Sequence, residues 1–234
     1  VFGGNFDAGR VSSGNNGINS ASGIFHAEGA FPATNWGGYK SVFPSGGYST
    51  SVDIYLDTQL NTNDLRFDWS SAINKPDGLH RRDFVFNAGF YNDLSGPNGF
   101  VISAGNNAGR SNSYPKNTGH DPFSIFTSGW YTFEHVFYDN GSGQLAVDMS
   151  IYDTSNTSLN TWTLSDATDI IGTTVGGNRY GWFANNELPV LAFDNSELST
   201  GAPAPIPEPT TWLLFGTGLL GLVGFGRKRF MKTS

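Results

Sequence analysis

The chain has 234 residues, a formal net charge of −7 and no cysteine. Without cysteine it has no disulfide scaffold, no cysteine-ligated zinc or iron–sulfur cluster and no thiol nucleophile. Residues 1–206 hold nineteen of the twenty acidic residues but nine of the thirteen basic ones, which gives this part a net charge of −10. So acidic a surface repels a phosphate backbone, and this excludes nucleic acid as a partner.

The composition predicts an all-β, loop-rich domain of the extracellular type. The chain has 31 glycines and 11 prolines, while aromatic residues reach 15% and charged residues only 14%. Disordered chains lack such aromatic content, and helical bundles use more lysine, glutamate and alanine. A chain of this length buries a core large enough to fold without metal or disulfide support.

The first predicted strands follow a period of two. Residues 50–57 place Val52, Ile54 and Leu56 on one face and polar residues or Tyr on the other. Residues 64–69 and 83–91 repeat this pattern, and residues 100–104 form a shorter strand. Alternation of this kind, bounded by Gly, Asn, Asp and Ser, is typical of β-strands.

The clearest hairpin signal lies in the middle of the chain. Residues 130–139 and 144–152 are two alternating segments, and Asn140-Gly141 opens the turn between them, with Ser142-Gly143 extending it. The predicted inward-facing residues are Tyr131, Phe133, His135 and Phe137 on the first strand, and Leu145, Val147, Met149 and Ile151 on the second.

Three more strands are predicted at residues 160–164, 180–184 and 188–194, with one short helix at residues 165–171. Together these segments give ten to twelve strands at regular spacing. That number and spacing predict two antiparallel sheets packed as a β-sandwich.

Several segments resemble a known type of β-sandwich. They are SVDIYLD, RRDFVFNAGFYND, GWYTFEHVFYD and TVGGNRYGWF, all within residues 41–195. This stretch resembles the concanavalin A-like or laminin-G-like jelly roll found in an uncharacterised group of bacterial secreted proteins. The resemblance implies a fold, but that fold hosts lectins, glycosidases, lyases and adhesive modules alike, so the activity stays open.

The composition changes abruptly after residue 200, which we take as the end of the extracellular domain, residues 1–200. Residues 201–209 contain four prolines in nine positions and predict an extended spacer. Residues 210–226 carry no charge and predict a transmembrane helix about 25 Å long. Residues 227–234 form a basic cytoplasmic tail. The residues assigned to the predicted transmembrane helix, and to the basic cluster that ends it, are Trp212, Leu213, Leu214, Phe215, Leu219, Leu220, Leu222, Val223, Phe225, Arg227, Lys228 and Arg229.

This tail resembles the PEP-CTERM sorting signal of Gram-negative bacteria. Pro207, Glu208 and Pro209 form the motif, and the apolar span and basic end follow in the expected order. The resemblance implies an exosortase-type processing enzyme as partner and a transient stay in the inner membrane. It also implies a final place at the cell surface or in the extracellular matrix of a biofilm former. An N-terminal signal peptide is expected too; residues 1–10 do not have its pattern, so we expect the natural start to lie upstream.

The acidic residues do not predict a catalytic pair. Jelly-roll glycosidases need two carboxylates facing one groove, whereas Asp53 and Asp57 lie four residues apart on one strand. We expect them on a polar outer face or strand edge. Glu134 and His135 are neighbours on a strand and point to opposite faces, so His135 is expected in the core with its ring hydrogen-bonded. No catalytic residue is therefore predicted.

The candidate glycan contacts are Arg81, Arg82 and two groups of aromatic residues. The basic pair lies in the cluster 80–83 at a strand start, where it meets either an anionic polysaccharide or acidic side chains in a network at the sheet edge. The aromatic candidates, which either stack on sugars or fill the core, are Trp36, Tyr39, Tyr180 and Trp182.

Asp- and Asn-rich loops leave calcium open as a cofactor. Residues 92–93, 139–140 and 194–195 carry oxygen ligands that Ca²⁺ accepts, but Asp and Asn also fill tight turns for conformational reasons. No metal-ligating histidine spacing is present, and no other cofactor is predicted.

The sequence therefore predicts an exported, envelope-associated, non-catalytic β-sandwich protein that binds a glycan or exopolysaccharide. Two alternatives remain: a polysaccharide hydrolase or lyase of jelly-roll fold, and a purely structural surface or adhesion subunit.

Overall fold

The folded body is built of strands. The computed structural model describes residues 9–11, 41–60, 65–90, 99–106, 121–184 and 187–201, and within them it has eleven strands and no helix. The strands are β1 (Gly9–Val11), β2 (Tyr48–Leu56), β3 (Arg66–Asn74), β4 (His80–Phe90), β5 (Phe100–Asn106), β6 (Phe123–Ile125), β7 (Gly129–Asp139), β8 (Gln144–Tyr152), β9 (Ser158–Ile170), β10 (Asn178–Ala184) and β11 (Leu191–Thr200).

The strands form two antiparallel sheets. Sheet A has six strands in the order β1-β11-β2-β7-β8-β9, and sheet B has five in the order β10-β3-β4-β5-β6. The predicted two-sheet antiparallel sandwich is thereby confirmed for the described part of the chain. The predicted hairpin is also present, with Asp139 of β7 paired to Leu145 of β8.

Two strands have no counterpart in the sequence prediction. β1 and β6 have three residues each, too few for an alternating pattern to stand out. β11 also extends well beyond the predicted end at residue 194, because its pairing with β2 continues as far as Thr200 opposite Tyr48.

The short helix predicted at residues 165–171 is wrong, since β9 continues through Ile170. In the pairing with β8, Ser165 lies opposite Ala146 and Ile170 opposite Gln144, so β9 has a bulge between these two residues. The acids at 166 and 169 have the spacing of a helix face, but they lie in this bulge.

The core between the sheets is rich in phenylalanine. Phe133 of sheet A contacts two rings of sheet B: Phe86 at 5.1 Å between ring centroids and Phe67 at 6.4 Å, both edge to face. Such pairs stabilise the packing beyond the burial of their area, by about 1 kcal/mol each. The predicted inward-facing residues of the β7–β8 hairpin are all buried, which confirms the period-two interpretation.

The two sheets differ in their outward faces. Along β7, buried and partly exposed residues alternate, as expected for a sheet with one face open to solvent. Along β4, eight consecutive residues from Asp83 onward are buried, including the outward-facing Val85 and Asn87. Among the described residues, sheet A therefore offers the larger accessible face.

His135 lies in the core between the sheets, as predicted. Its side chain is fully buried; Nε2–H donates a hydrogen bond to the Phe84 carbonyl oxygen at 3.1 Å, and Nδ1 faces the Thr50 hydroxyl at 3.5 Å. Rings of Phe86 and Phe137 flank the imidazole. Burial lowers the pKa of His135 to about 3, although the hydrogen bond to Phe84 acts in the opposite direction.

This buried histidine makes the stability pH-dependent. In the unfolded chain, His135 becomes protonated below about pH 6.5. In the folded protein it stays neutral down to about pH 3, because burial disfavours the charged imidazole. Each pH unit in this window then costs the folded state a little over 1 kcal/mol. We expect His135→Gln to show a shallower loss of unfolding free energy than the parent between these limits. Urea unfolding at several pH values measures both slopes, and parallel slopes would contradict the assignment.

Candidate functional site

Polar residues cross the outward face of sheet A in register. Asp194 of β11 pairs with Asp53 of β2, Asp53 with Thr132 of β7, and Thr132 with Tyr152 of β8. Their chain neighbours, such as Ile54 and Phe133, are fully buried. Because side chains alternate along a strand, this row lies on the open side of the sheet.

A cavity of about 240 Å³ lies at the end of this row, next to the turn between β8 and β9. We call it the Trp130 cavity. A volume below the usual range for large ligands suits a single ring or a small polar group rather than a nucleotide-sized cofactor. Its lining residues are Asp53, Trp130, Tyr131, Thr132, Asp153, Thr154 and Asn156.

An aromatic side chain forms one wall of the cavity. Trp130 is half-buried and packs edge to face against Tyr55 of β2, with ring centroids 5.5 Å apart and planes at 66°. The two residues are direct partners across the β2–β7 pair. The indole is thus held in place while part of its surface stays accessible.

Asp53 supplies a carboxylate with spare capacity to accept hydrogen bonds. Its Oδ1 accepts from the Thr132 hydroxyl and its Oδ2 accepts from the Asn195 side-chain amide at 2.7 Å. An ionised carboxylate has about four acceptor positions. Both oxygens can therefore accept a further donor from a ligand.

Asp153 is held by its own turn. Its Oδ1 accepts the backbone N–H groups of Ser155 at 2.8 Å and Thr157 at 2.9 Å, and no hydrogen bond within the described residues uses its Oδ2. Asn156 adopts a left-handed conformation with φ 58°, which Asn tolerates better than most residues. These features place Asp153 and Asn156 together at the cavity rim.

Tyr131 connects the cavity to the core. Its hydroxyl donates a hydrogen bond to the Thr127 carbonyl oxygen at 2.8 Å. Burial, and then the negative charge of Asp153, raises the pKa of the Tyr131 hydroxyl. The phenol stays neutral at physiological pH, and the cavity keeps a negative potential from its two carboxylates.

A second polar group adjoins the cavity on β7 and β8. Burial raises the pKa of the Glu134 carboxyl, and a hydrogen bond with Tyr152 lowers it in part. Farther along, Tyr138 donates to Asp148 Oδ1 at 3.2 Å, and burial together with that carboxylate raises the pKa of Tyr138 to about 12. Carboxylate spacing along a single strand gives no sign of this group, because the register of the β7–β8 hairpin brings its residues together.

The acidic pair considered from sequence serves other purposes. Asp53 belongs to the cavity, while Asp57 Oδ1 accepts the backbone N–H of Gln59 at 3.0 Å in the turn after β2. Both are half-buried on the outer side, which confirms the polar-face interpretation. Glu134 is half-buried and His135 fully buried, so the two do point to opposite faces.

Arg81 and Arg82 form an Arg–Asp network that bridges the sheets. Nε of both guanidiniums lies 2.7 Å from the buried carboxylate of Asp169 in the β9 bulge, and Arg82 also contacts Asp166 at 3.0 Å. Arg81 donates a further bond to the Thr168 hydroxyl at 2.8 Å. In this structure the pair therefore joins β4 of sheet B to β9 of sheet A.

The remaining predicted contacts are only partly within the described residues. Tyr180 and Trp182 lie on β10, where their backbones pair with Ala72 and Ser70 of β3. Their side chains lie outside the described part, as do Trp36, Tyr39 and the whole segment 202–234 with its predicted span. In the described residues no helix has the length and apolarity needed to cross a bilayer.

The loops considered for calcium are shaped by hydrogen bonds of their own. Asp139 Oδ1 accepts the N–H groups of Gly141 at 2.8 Å and Gly143 at 2.9 Å, and Asp194 Oδ1 accepts that of Asn195 at 2.7 Å. Residues 92–93 lie outside the described ranges. Within those ranges, no three His, Asp or Glu side chains are grouped closely enough to hold a metal ion.

Comparison with known proteins identifies the tail. Residues 205–229 match the family described as the PEP-CTERM protein-sorting motif. The motif implies export, membrane-anchored sorting and processing by an exosortase-type enzyme. A search of curated proteins finds no match for the chain.

Two solved structures resemble the body at low identity. One is the marine PL-14 alginate lyase from Aplysia kurodai, with 9% identity, 82% of each chain covered and a TM-score of 0.45. The other is the CBM2 module of the Lactobacillus casei BL23 phage J-1 evolved Dit, with 10% identity, 73% of this chain and 67% of that chain covered, and a TM-score of 0.31. Similarity at this level says nothing about function.

The Arg–Asp network predicts an unequal response to removal of its two acids. Asp169→Ala leaves two guanidiniums without their buried partner and should lower the unfolding free energy by about 3 kcal/mol. Asp166→Ala removes a one-third exposed carboxylate and should cost less than about 1 kcal/mol. Denaturant unfolding of both variants measures the difference, and equal losses would contradict a buried clamp centred on Asp169.

Proposed function

We propose that this protein is a non-catalytic glycan-binding protein of the cell envelope or extracellular matrix, delivered by its PEP-CTERM tail. The observation that carries the proposal is the Trp130 cavity. It joins an accessible indole to carboxylate, hydroxyl and amide groups on the open face of sheet A.

The chemistry of the lining matches that of a sugar. A pyranose has an apolar C–H face that packs on an aromatic ring, and its hydroxyl groups donate and accept hydrogen bonds. Trp130 supplies the ring, Asp53 and Asp153 supply acceptors, and Asn156 supplies both a donor and an acceptor. Because strand pairing and the β8–β9 turn fix these groups, little ordering is needed on binding.

The sorting route is consistent with such a role. Processing by an exosortase-type enzyme follows export, so the body is delivered to the side of the membrane where exopolysaccharide accumulates. Binding of that polymer then makes the body a matrix component.

Removal of the indole should weaken sugar recognition. We expect Trp130→Ala to weaken polysaccharide binding at least about tenfold, because the stacking surface is lost. Phe126→Ala is the matched control, since Phe126 is 58% exposed but does not line the cavity. Retention on a panel of neutral, acidic and amino-sugar polysaccharides, followed by calorimetry, measures the effect. No retention on any polymer would instead favour the structural surface subunit.

A hydrolase or lyase remains the second candidate function because of Glu134. Its raised pKa and its contact with Tyr152 are features of a general acid, and the group adjoins the cavity on β7 and β8. We propose binding without cleavage, and expect no release of new oligosaccharide ends during incubation with the bound polymer. Sustained release that Glu134→Gln abolishes would overturn this part of the proposal.

Processing of the tail gives a separate prediction. We expect the mature protein of the native host to end near Pro209, and a triple alanine change at Pro207, Glu208 and Pro209 to block this. Pro203→Ala, outside the matched residues, is the control. Mass spectrometry of the extracellular fraction decides the matter, since an intact C-terminus at Ser234 there would exclude processing.

A further inference from the structure

We propose that the sugar held in the Trp130 cavity carries a protonated amine, as a deacetylated hexosamine does. This inference rests on the proposed glycan binding and specifies its substrate class. It replaces the acidic polysaccharide that the Arg81–Arg82 pair had suggested from sequence.

The charges that line the cavity all have one sign. Asp53 and Asp153 are its two charged lining residues. The other lining groups are neutral, and Tyr131 is held in its neutral form by burial. A uronic acid placed against Trp130 would bring a third carboxylate next to these two, with no cation among the lining residues to balance it.

The strands of sheet A around the cavity are also poor in positive charge. Strands β2, β7, β8, β9 and β11 contain no lysine or arginine, and their single histidine, His135, is buried in the core. The one arginine on the strands of sheet A is Arg10 of β1, at the far edge of the sheet. Glu134, Asp148, Asp194 and Glu197 extend the negative potential along the outer face.

The geometry offers an ammonium group contacts with three side chains. Oδ2 of Asp153 is unused within the described residues, and both oxygens of Asp53 have acceptor positions left. The accessible part of the indole adds attraction to a cation near its face, and Trp is the best ring for that contact. Arg81 and Arg82, the basic residues from which the sequence suggested an anionic ligand, are instead paired with Asp166 and Asp169.

The test compares two oligosaccharides that differ only in whether the amine is acetylated, together with a third that carries carboxylates. Full-length protein in a non-glycosidic detergent is titrated with an N-acetylglucosamine hexamer, its fully deacetylated counterpart and a uronate hexamer. We expect the deacetylated hexamer to bind with a Kd at least about tenfold lower than the acetylated one, and added salt to weaken this binding selectively. The uronate hexamer should bind weakest.

Paired variants locate the effect. Asp53→Asn with Asp153→Asn should remove the preference for the deacetylated hexamer, so that the ratio of the two Kd values falls from at least about tenfold to about one. The ratio is the readout, because in the proposed site both carboxylates also accept hydrogen bonds from the acetylated hexamer. Asp148→Asn with Glu197→Gln removes the same charge from the same face outside the cavity and should keep the preference.

The outcomes separate the two proposals. If no oligosaccharide binds, the proposed function fails. A different result is that the acetylated hexamer binds only when Trp130 is present, while the deacetylated hexamer binds no more tightly, or the uronate hexamer binds more tightly, than the acetylated one. In that case only the present inference fails. Oligolysine that binds as tightly as the deacetylated hexamer would show recognition of charge alone and would also overturn it.

Discussion

Successive side chains along the strands of sheet A point alternately into the core and out to the open face, and the candidate site follows from this constraint. Phe133 contacts the opposite sheet and Ile54 is fully buried in the same core, so Thr132 and Asp53, their neighbours in the chain, must lie on the other face of sheet A. A slip of one residue in β2 relative to β7 would turn Asp53 toward the core and Ile54 toward solvent. The same packing that stabilises the fold therefore positions the carboxylates beside Trp130.

The two sheets have separate tasks. Sheet B is buried on both faces along β4, and it contributes Phe67 and Phe86 to the core and Arg81 and Arg82 to the clamp on β9. Sheet A leaves its outer face accessible and carries the cavity. In the clamp, each guanidinium of this basic pair is paired with the buried Asp169 carboxylate.

Tail and body give independent information. The PEP-CTERM motif at residues 205–229 is an address read by a processing enzyme, and it constrains where the protein goes but not what the body binds. The body's activity has to be argued from the chemistry of its surface. In the proposed function, the cavity and the negative face of sheet A are the parts of the exported body that bind polysaccharide.

The sequence by itself determined the features that depend on local pattern. The period-two pattern identified the inward-facing residues of the β7–β8 hairpin. Because neighbours on a strand point to opposite faces, the pattern also put Glu134 and His135 on different sides of the sheet. The order of motif, apolar segment and basic end identified the sorting tail. Prediction from the sequence failed where contacts between distant segments decide the local structure or assemble the site. Asp166 and Asp169 have helical spacing, but pairing of β9 with β8 and the guanidiniums of β4 hold them in a bulge. Likewise Asp53, Trp130 and Asp153 are far apart in the chain, and only the register of β2, β7 and β8 brings them into one cavity.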